Sequence, residues 1–164
     1  KYVGSILPTS TYGVSLGLNY KNIDFSVDGY GTSGAKVYNG KKAQRFTGEN
    51  IEESLATNFW TVNNTTASNP APFNLVPAAS TYYLESGDFF RINNITLGYK
   101  ITLKGEFLNS CRIYVNAINP FITQKFSGFS PELNGNGDPY GTQGIELDAY
   151  PTLRSFVIGA NLKF

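Results

Sequence analysis

The strongest constraint in this sequence is an alternation with a period of two. In the final stretch Phe156, Ile158, Ala160, Leu162 and Phe164 are apolar, with Val157, Gly159, Asn161 and Lys163 between them. Successive side chains of a β-strand point to opposite faces, so this spacing describes a strand with one greasy face and one wetter face. Tyr12, Val14, Leu16, Leu18 and Tyr20 alternate in the same way with Gly13, Ser15, Gly17 and Asn19. Lys21-Asn22 is a two-residue turn signal, and Ile23, Phe25 and Val27 return against Asp24, Ser26 and Asp28, which predicts a β-hairpin. Ile95, Leu97, Tyr99 and Ile101 alternate with Thr96, Gly98 and Lys100, and Cys111, Ile113, Val115 and Ala117 with Arg112, Tyr114 and Asn116. Phe89-Phe90-Arg91-Ile92 is out of phase with the run from Ile95 to Ile101, so a bulge is expected near Asn93-Asn94. Strands are thus expected near 12–20, 23–31, 89–101, 111–119 and 153–164.

Two architectures use such strands. A soluble β-sandwich buries one face of each sheet and wets the other. A transmembrane β-barrel turns one face to lipid and the other to its lumen, with aromatic girdles at the membrane surfaces. The terminal strand by itself fits both. Three observations favour the barrel. No position on the five apolar faces is charged, whereas Asp24, Asp28, Lys100, Arg112 and Lys163 all lie on the opposite faces. A charge facing lipid near the midplane costs about 2–4 kcal/mol, and one facing an aqueous lumen costs little. The expected strands are also longer than the roughly five or six residues of ordinary sheets. Finally, connections alternate between short (21–22, 102–110) and long (32–86, 120–152), as periplasmic turns and extracellular loops do. Five strands do not close a barrel, since single-chain barrels start at about eight. An open sheet in lipid would expose unpaired backbone groups. The chain is therefore expected to be the C-terminal part of a larger barrel, and the absence of Met, position 1 included, reads as an excised or processed piece.

The long connections are rich in Gly, Pro, Asn and Ser, as in Asn63-Asn64-Thr65-Thr66-Ala67-Ser68-Asn69-Pro70. One short helix is expected in the first: Asn50 caps it, Glu53 completes a capping box, and Ile51, Leu55 and Phe59 share a face. Connections of this length usually carry function. Trp60 and Tyr140 are the candidate contacts to substrate or to a covering partner.

Other classes of function find no support. The net charge of +1 gives no reason to propose nucleic acid as a partner. A single cysteine, Cys111, builds no disulfide or thiolate metal site and reads as small filler, buried or facing lipid. With no histidine, neither a Ser-His-Asp nor a Cys-His arrangement exists. Glu132, Asp138, Glu146 and Asp148 share one loop, but carboxylates in a polar loop are far more often solvated than catalytic. Leu133-Asn134-Gly135-Asn136-Gly137-Asp138 lacks the regularly spaced acids of a calcium loop. No enzyme, metal site or cofactor is expected. A non-transporting barrel (an adhesin or anchor) and a soluble carbohydrate-binding sandwich remain alternatives at this level.

The segment Glu85-Ser86-Gly87-Asp88-Phe89-Phe90-Arg91-Ile92-Asn93-Asn94-Ile95-Thr96-Leu97-Gly98-Tyr99 resembles the E-x-G-x-F-h-R-h-x-N-h-T-L-G-Y segment (h apolar) of SusC/RagA-like TonB-dependent outer-membrane transporters. The resemblance continues in order through Arg112–Phe121, Phe126-Ser127-Gly128-Phe129-Ser130-Pro131-Glu132 and Tyr150–Phe156, and includes the hairpin Tyr20–Ser26. It implies an all-β, antiparallel transmembrane barrel of about 22 strands, of which these would be the last five, with two long extracellular loops. It further implies uptake of oligosaccharides or peptides across the bacterial outer membrane, a SusD-type lipoprotein as lid, and energy from the TonB complex through segments absent here. Phe156, Ile158, Ala160, Leu162 and Phe164 match the pattern that the barrel-assembly machinery reads. Tyr12, Tyr20 and Tyr99 are the candidate interface aromatics against outer-membrane lipid.

Overall fold

A computed structural model describes residues 2–44, 53–71, 78–103, 107–132, 144–147 and 150–164. Five strands form one antiparallel sheet: β1 (Ser10–Tyr20), β2 (Ile23–Ser33), β5 (Phe89–Thr102), β6 (Ser110–Gln124) and β8 (Ser155–Lys163). They lie side by side in the order β1-β2-β5-β6-β8. The hairpin closes with Tyr20 opposite Ile23, and Lys21 at its tip takes a φ of 53°, a conformation uncommon outside glycine. The turn carbonyl of Asn22 accepts the Lys100 N–H (2.8 Å), which joins the hairpin tip to the next strand.

The out-of-phase segment becomes a bulge. Ile92 pairs with Gly29 and Asn94 with Asp28, leaving Asn93 over; on the other side Ile92 pairs with Phe121 and Asn94 with Ile118. Asn119 sits at φ 51°, and β6 continues through Asn119-Pro120 as far as Gln124. The sequence had placed a loop from 120, because Asn-Pro is a turn signal; here the same residues form the bulge within a strand. The one extra residue on β5 (Asn93) brings Phe90 and Ile92 onto the face of Ile95, and the two on β6 (Asn119 and Pro120) keep Phe121 on the face of Ala117.

The stretch 32–86 is more than a loop. Among its described residues lie β3 (Lys36–Asn39), the five-residue helices α1 (Gly40–Gln44) and α2 (Glu53–Thr57), a 3-10 turn (Thr81–Tyr83) and β4 (Leu84–Ser86). Together with β7 (Ile145–Glu146) from the second long connection, β3 and β4 form a small sheet of order β4-β3-β7. Of the expected helix, Asn50 and Ile51 lie outside the described residues. The helix ends at Thr57, so Phe59 does not extend its face but bridges Asn69 through the backbone.

Among the described residues the buried apolar side chains lie in this cap and at the adjoining end of the main sheet: Ala35, Val37, Tyr83, Phe89 and Phe126. Tyr83 packs its ring on Tyr38 and Tyr82, at centroid distances of 5.8 and 5.0 Å. This cap joins the end of the main sheet where Thr32 faces Phe89 and Phe89 faces Gln124; the Gly87 N–H donates to the Ala35 carbonyl at 2.9 Å. Near that end the Tyr12 and Phe90 rings stack, with centroids 6.1 Å apart. A Cβ on Gly31 would land on the Phe89 carbonyl oxygen and 2.7 Å from the Tyr12 ring. Gly31→Val is expected to destabilise the fold by about 1–3 kcal/mol, because backbone cannot move aside as a side-chain tip can. A lowered urea midpoint for the assembled protein would show it, and an unchanged midpoint would contradict the geometry.

Candidate functional site

The pairing register determines which side chains share a face. Tyr12, Val14, Leu16, Leu18 and Tyr20 stand beside Gly31, Gly29, Val27, Phe25 and Ile23. These continue to Phe90, Ile92, Ile95, Leu97 and Tyr99, then to Thr123, Phe121, Ala117, Val115 and Ile113, and finally to Phe156, Ile158 and Ala160. Cys111 joins the same face between Ile101 and Leu162. No residue on this face is charged, yet much of it is exposed: Leu18 at 56%, Leu97 at 53%, Ile158 at 78%. From Tyr12 to Tyr20 a strand rises about 27 Å, which at a tilt of about 40° spans roughly 20 Å, close to the height of a barrel's apolar band. The aromatic candidates Tyr12, Tyr20 and Tyr99 and the terminal residues Phe156, Ile158, Ala160, Leu162 and Phe164 are all exposed here.

The other face carries the charges. Arg112 on β6 reaches across β5 to Asp24 on β2, its Nε donating to Oδ1 at 2.8 Å and its Nη2 also paired with the carboxylate. The two meet over Gly98, where any Cβ would collide with both. Ser15 donates to Asp28 (2.5 Å) and Thr96 to Asn116 (3.3 Å), and the Arg112 guanidinium lies 5.0 Å from the Tyr114 ring. Val157, Ile118 and Ile122 also lie on this side, so the wall is mixed rather than purely polar.

At the cap end, two distant segments interlock. The Glu85 carboxylate accepts from the Ser127 N–H (2.7 Å), the Ser127 hydroxyl (2.8 Å) and Asn39 Nδ2 (3.2 Å). Asp88 accepts from the Gly34 N–H at 2.7 Å and faces Lys125 Nζ at 3.7 Å. The Gly34 N–H holds the Asp88 carboxyl below its usual range, with burial opposing it. Arg91, 4% exposed, pairs with Glu132, which also accepts from the Tyr30 hydroxyl and from Ser130 Oγ (3.2 Å). Burial pushes the Glu132 carboxyl above its usual value. Gln124 Nε2 donates to the Phe126 and Gly128 carbonyls, at 3.1 and 2.8 Å.

Of the four loop carboxylates, Glu132 is thus held by Arg91, Glu146 is buried in β7, and Asp138 and Asp148 lie outside the described residues, as does the stretch Leu133–Asp138. Trp60, 45% exposed, projects from a hydrogen-bonded loop: its N–H donates to the Asn69 carbonyl (2.8 Å), and the Tyr82 hydroxyl holds Asn69 Oδ1 (2.6 Å). Tyr140 lies outside the described residues. Sequence reasoning placed Glu85, Arg91, Ser127 and Glu132 inside two motifs without pairing them. The available signal was a set of charges, Glu85, Asp88 and Arg91, at intervals of three among glycines and aromatics. Among the described residues no cluster of metal-ligating side chains occurs. No helix among them is long and apolar enough to cross a membrane, which says nothing of strands.

No family model matches the chain. Among curated proteins it is similar to TonB-dependent receptor P3 of Formosa agariphila, 26% identical over 100% of this chain and 17% of that receptor. It is 34% identical to the TonB-dependent receptor SusC of Bacteroides thetaiotaomicron over 92 residues, which is 52% of this chain and 8% of SusC. Among solved structures, the RagAB peptide importer in its closed-closed state covers 100% of this chain with a TM-score of 0.79 and 24% identity. The open-open state covers 98% with a TM-score of 0.78 and 25% identity. In both the match spans 18% of the solved chain. With its five-stranded wall and its cap, the chain is similar in sequence over its whole length to a TonB-dependent receptor and in fold to the RagAB peptide importer, and it spans less than a fifth of the length of either.

Proposed function

We propose that the chain forms five adjacent wall strands, with their overlying loops, of an outer-membrane importer. The observation that carries this reading is the charge-free apolar face running across all five strands while every strand charge lies on the other side. Lipid takes the first face, and the second lines the lumen. The importer takes up oligosaccharides or peptides, drawing energy from the TonB complex, with a SusD-type lipoprotein covering its outer mouth. The similarity to SusC and to the RagAB peptide importer supports this reading. Tyr12 and Tyr20 anchor opposite ends of the apolar band in the two interfaces, with Tyr99 beside the lower one. Phe156, Ile158, Ala160, Leu162 and Phe164 are the strand read by the barrel-assembly machinery. Trp60 and Tyr140 contact cargo or lid.

Fractionation of the native protein tests the reading. The expected species is found with the outer membrane and is several times heavier than 18.0 kDa. A stable 18.0 kDa monomer in plain buffer would return the alternation to a soluble sandwich. For the contacts, Trp60→Ala and Tyr140→Ala are expected to weaken uptake several-fold without lowering the amount of assembled barrel. Uptake indistinguishable from wild type in both variants would remove these residues from the site.

A further inference from the structure

We propose that residues 125–132 form a strap latched to the barrel rim by Glu132, and that Arg91 and Glu132 position this strap so that Phe129 is presented to cargo. The cargo half of the inference rests on the importer reading; the latch does not. The strap is tied at three points to one short segment. The Lys125 N–H donates to the Asp88 carbonyl (3.4 Å), Ser127 is held by Glu85, and Glu132 by Arg91. The first tie is a long backbone hydrogen bond with a loose Lys125–Asp88 ion pair beside it, and the second is a pair of exposed hydrogen bonds, which water weakens. The third is different. Arg91 has a side chain 5% exposed, Ser130 is buried, and the Glu132 carboxylate joins β2, through Tyr30, to β5. A buried charge pair of this kind holds firmly only while both partners are present. Within the strap Phe126 is 4% exposed, whereas Phe129 is 51% exposed with Lys41 Nζ 3.9 Å from its ring centroid. The latch therefore keeps one aromatic down and the next one up, beside a cation on the cap.

The test uses the full-length protein in outer membranes. Glu132→Gln keeps the shape of the side chain and removes its charge; Tyr30→Phe removes only a hydroxyl. Chymotrypsin cleavage after Phe126, measured by fragment mass relative to cleavage after the exposed Phe129, reports strap release. Heat-modified gel migration confirms that the barrel is intact. Glu132→Gln is expected to raise the relative cleavage after Phe126 at least tenfold, and Tyr30→Phe to raise it less. Uptake of a labelled peptide mixture and a labelled oligosaccharide mixture is measured alongside, using whichever the wild type takes up. Glu132→Gln is expected to raise the half-saturating concentration several-fold at unchanged maximal rate. Phe129→Ala should reproduce that rise, a split that loss of folded protein does not produce. Unchanged cleavage in Glu132→Gln would overturn the latch. Changed cleavage with unchanged half-saturation in both Glu132→Gln and Phe129→Ala would overturn the presentation of Phe129. A wild type that takes up neither mixture would overturn the importer reading, and with it the presentation of Phe129 to cargo; the cleavage result would still judge the latch.

Discussion

Replacing Arg91 by methionine is expected to cost the folded protein about 3–5 kcal/mol, the largest single effect foreseen for this chain. Arg91 and Glu132 have side chains 5% and 19% exposed, so the variant leaves a largely buried carboxylate without its counter-charge, held by the Tyr30 and Ser130 hydroxyls. The loss should depend on pH with a definite sign. Burial already holds the Glu132 carboxyl above its usual value, and loss of the neighbouring positive charge removes what favours its ionised form, so its folded pKa rises further above the unfolded one. The folded state then binds the proton more tightly than the unfolded state. Its stability is fully present below the unfolded pKa and falls as pH rises through the folded one. Urea unfolding of the assembled protein should show Arg91→Met closer to wild type in acid than at neutral pH. Arg91→Met combined with Glu132→Gln should recover most of the loss, since removing both charges removes the unpaired one. A single variant equally destabilised across the range would mean that the guanidinium acts through packing alone.

The second large effect separates the two faces of the wall. Leu97→Lys places a charge on the apolar face at the middle of the central strand, where Leu97 lies between Phe25 and Val115. Facing lipid, that charge costs about 2–4 kcal/mol. Ser26→Lys places the same charge on the opposite face of the neighbouring strand, beside Asp24 and Asp28, where a change of about 0.5 kcal/mol or less is expected. The amount of heat-modifiable barrel recovered from the outer membrane should fall sharply for Leu97→Lys and little for Ser26→Lys. Equal losses would mean that both faces see the same solvent, which an open sandwich sheet permits and a barrel wall does not.

The range of the interactions divides what was legible in the chain from what was not. Alternation is written residue by residue, so the phase of each wall strand, the Lys21-Asn22 turn and the phase jump near Asn93 are present in local sequence. Lipid makes that code unusually strict, because one misplaced charge on the outer face is expensive. The cap lacked such a code. Its strands are four, three and two residues long, too short for a period, and β7 pairs with a strand about a hundred residues earlier. Asn119-Pro120, a turn signal locally, stays inside β6 because Phe121, Ile122 and Thr123 pair onward with Ile92, Arg91 and Phe90. Sequence by itself determined the two-faced strands, their turns and the side on which charge is forbidden. Only the tertiary structure decided that Gly98 leaves room for Asp24 and Arg112 to meet, and that Arg91 holds Glu132 from about forty residues away. Such pairs depend on register and close approach between strands, and no local pattern of residues encodes either.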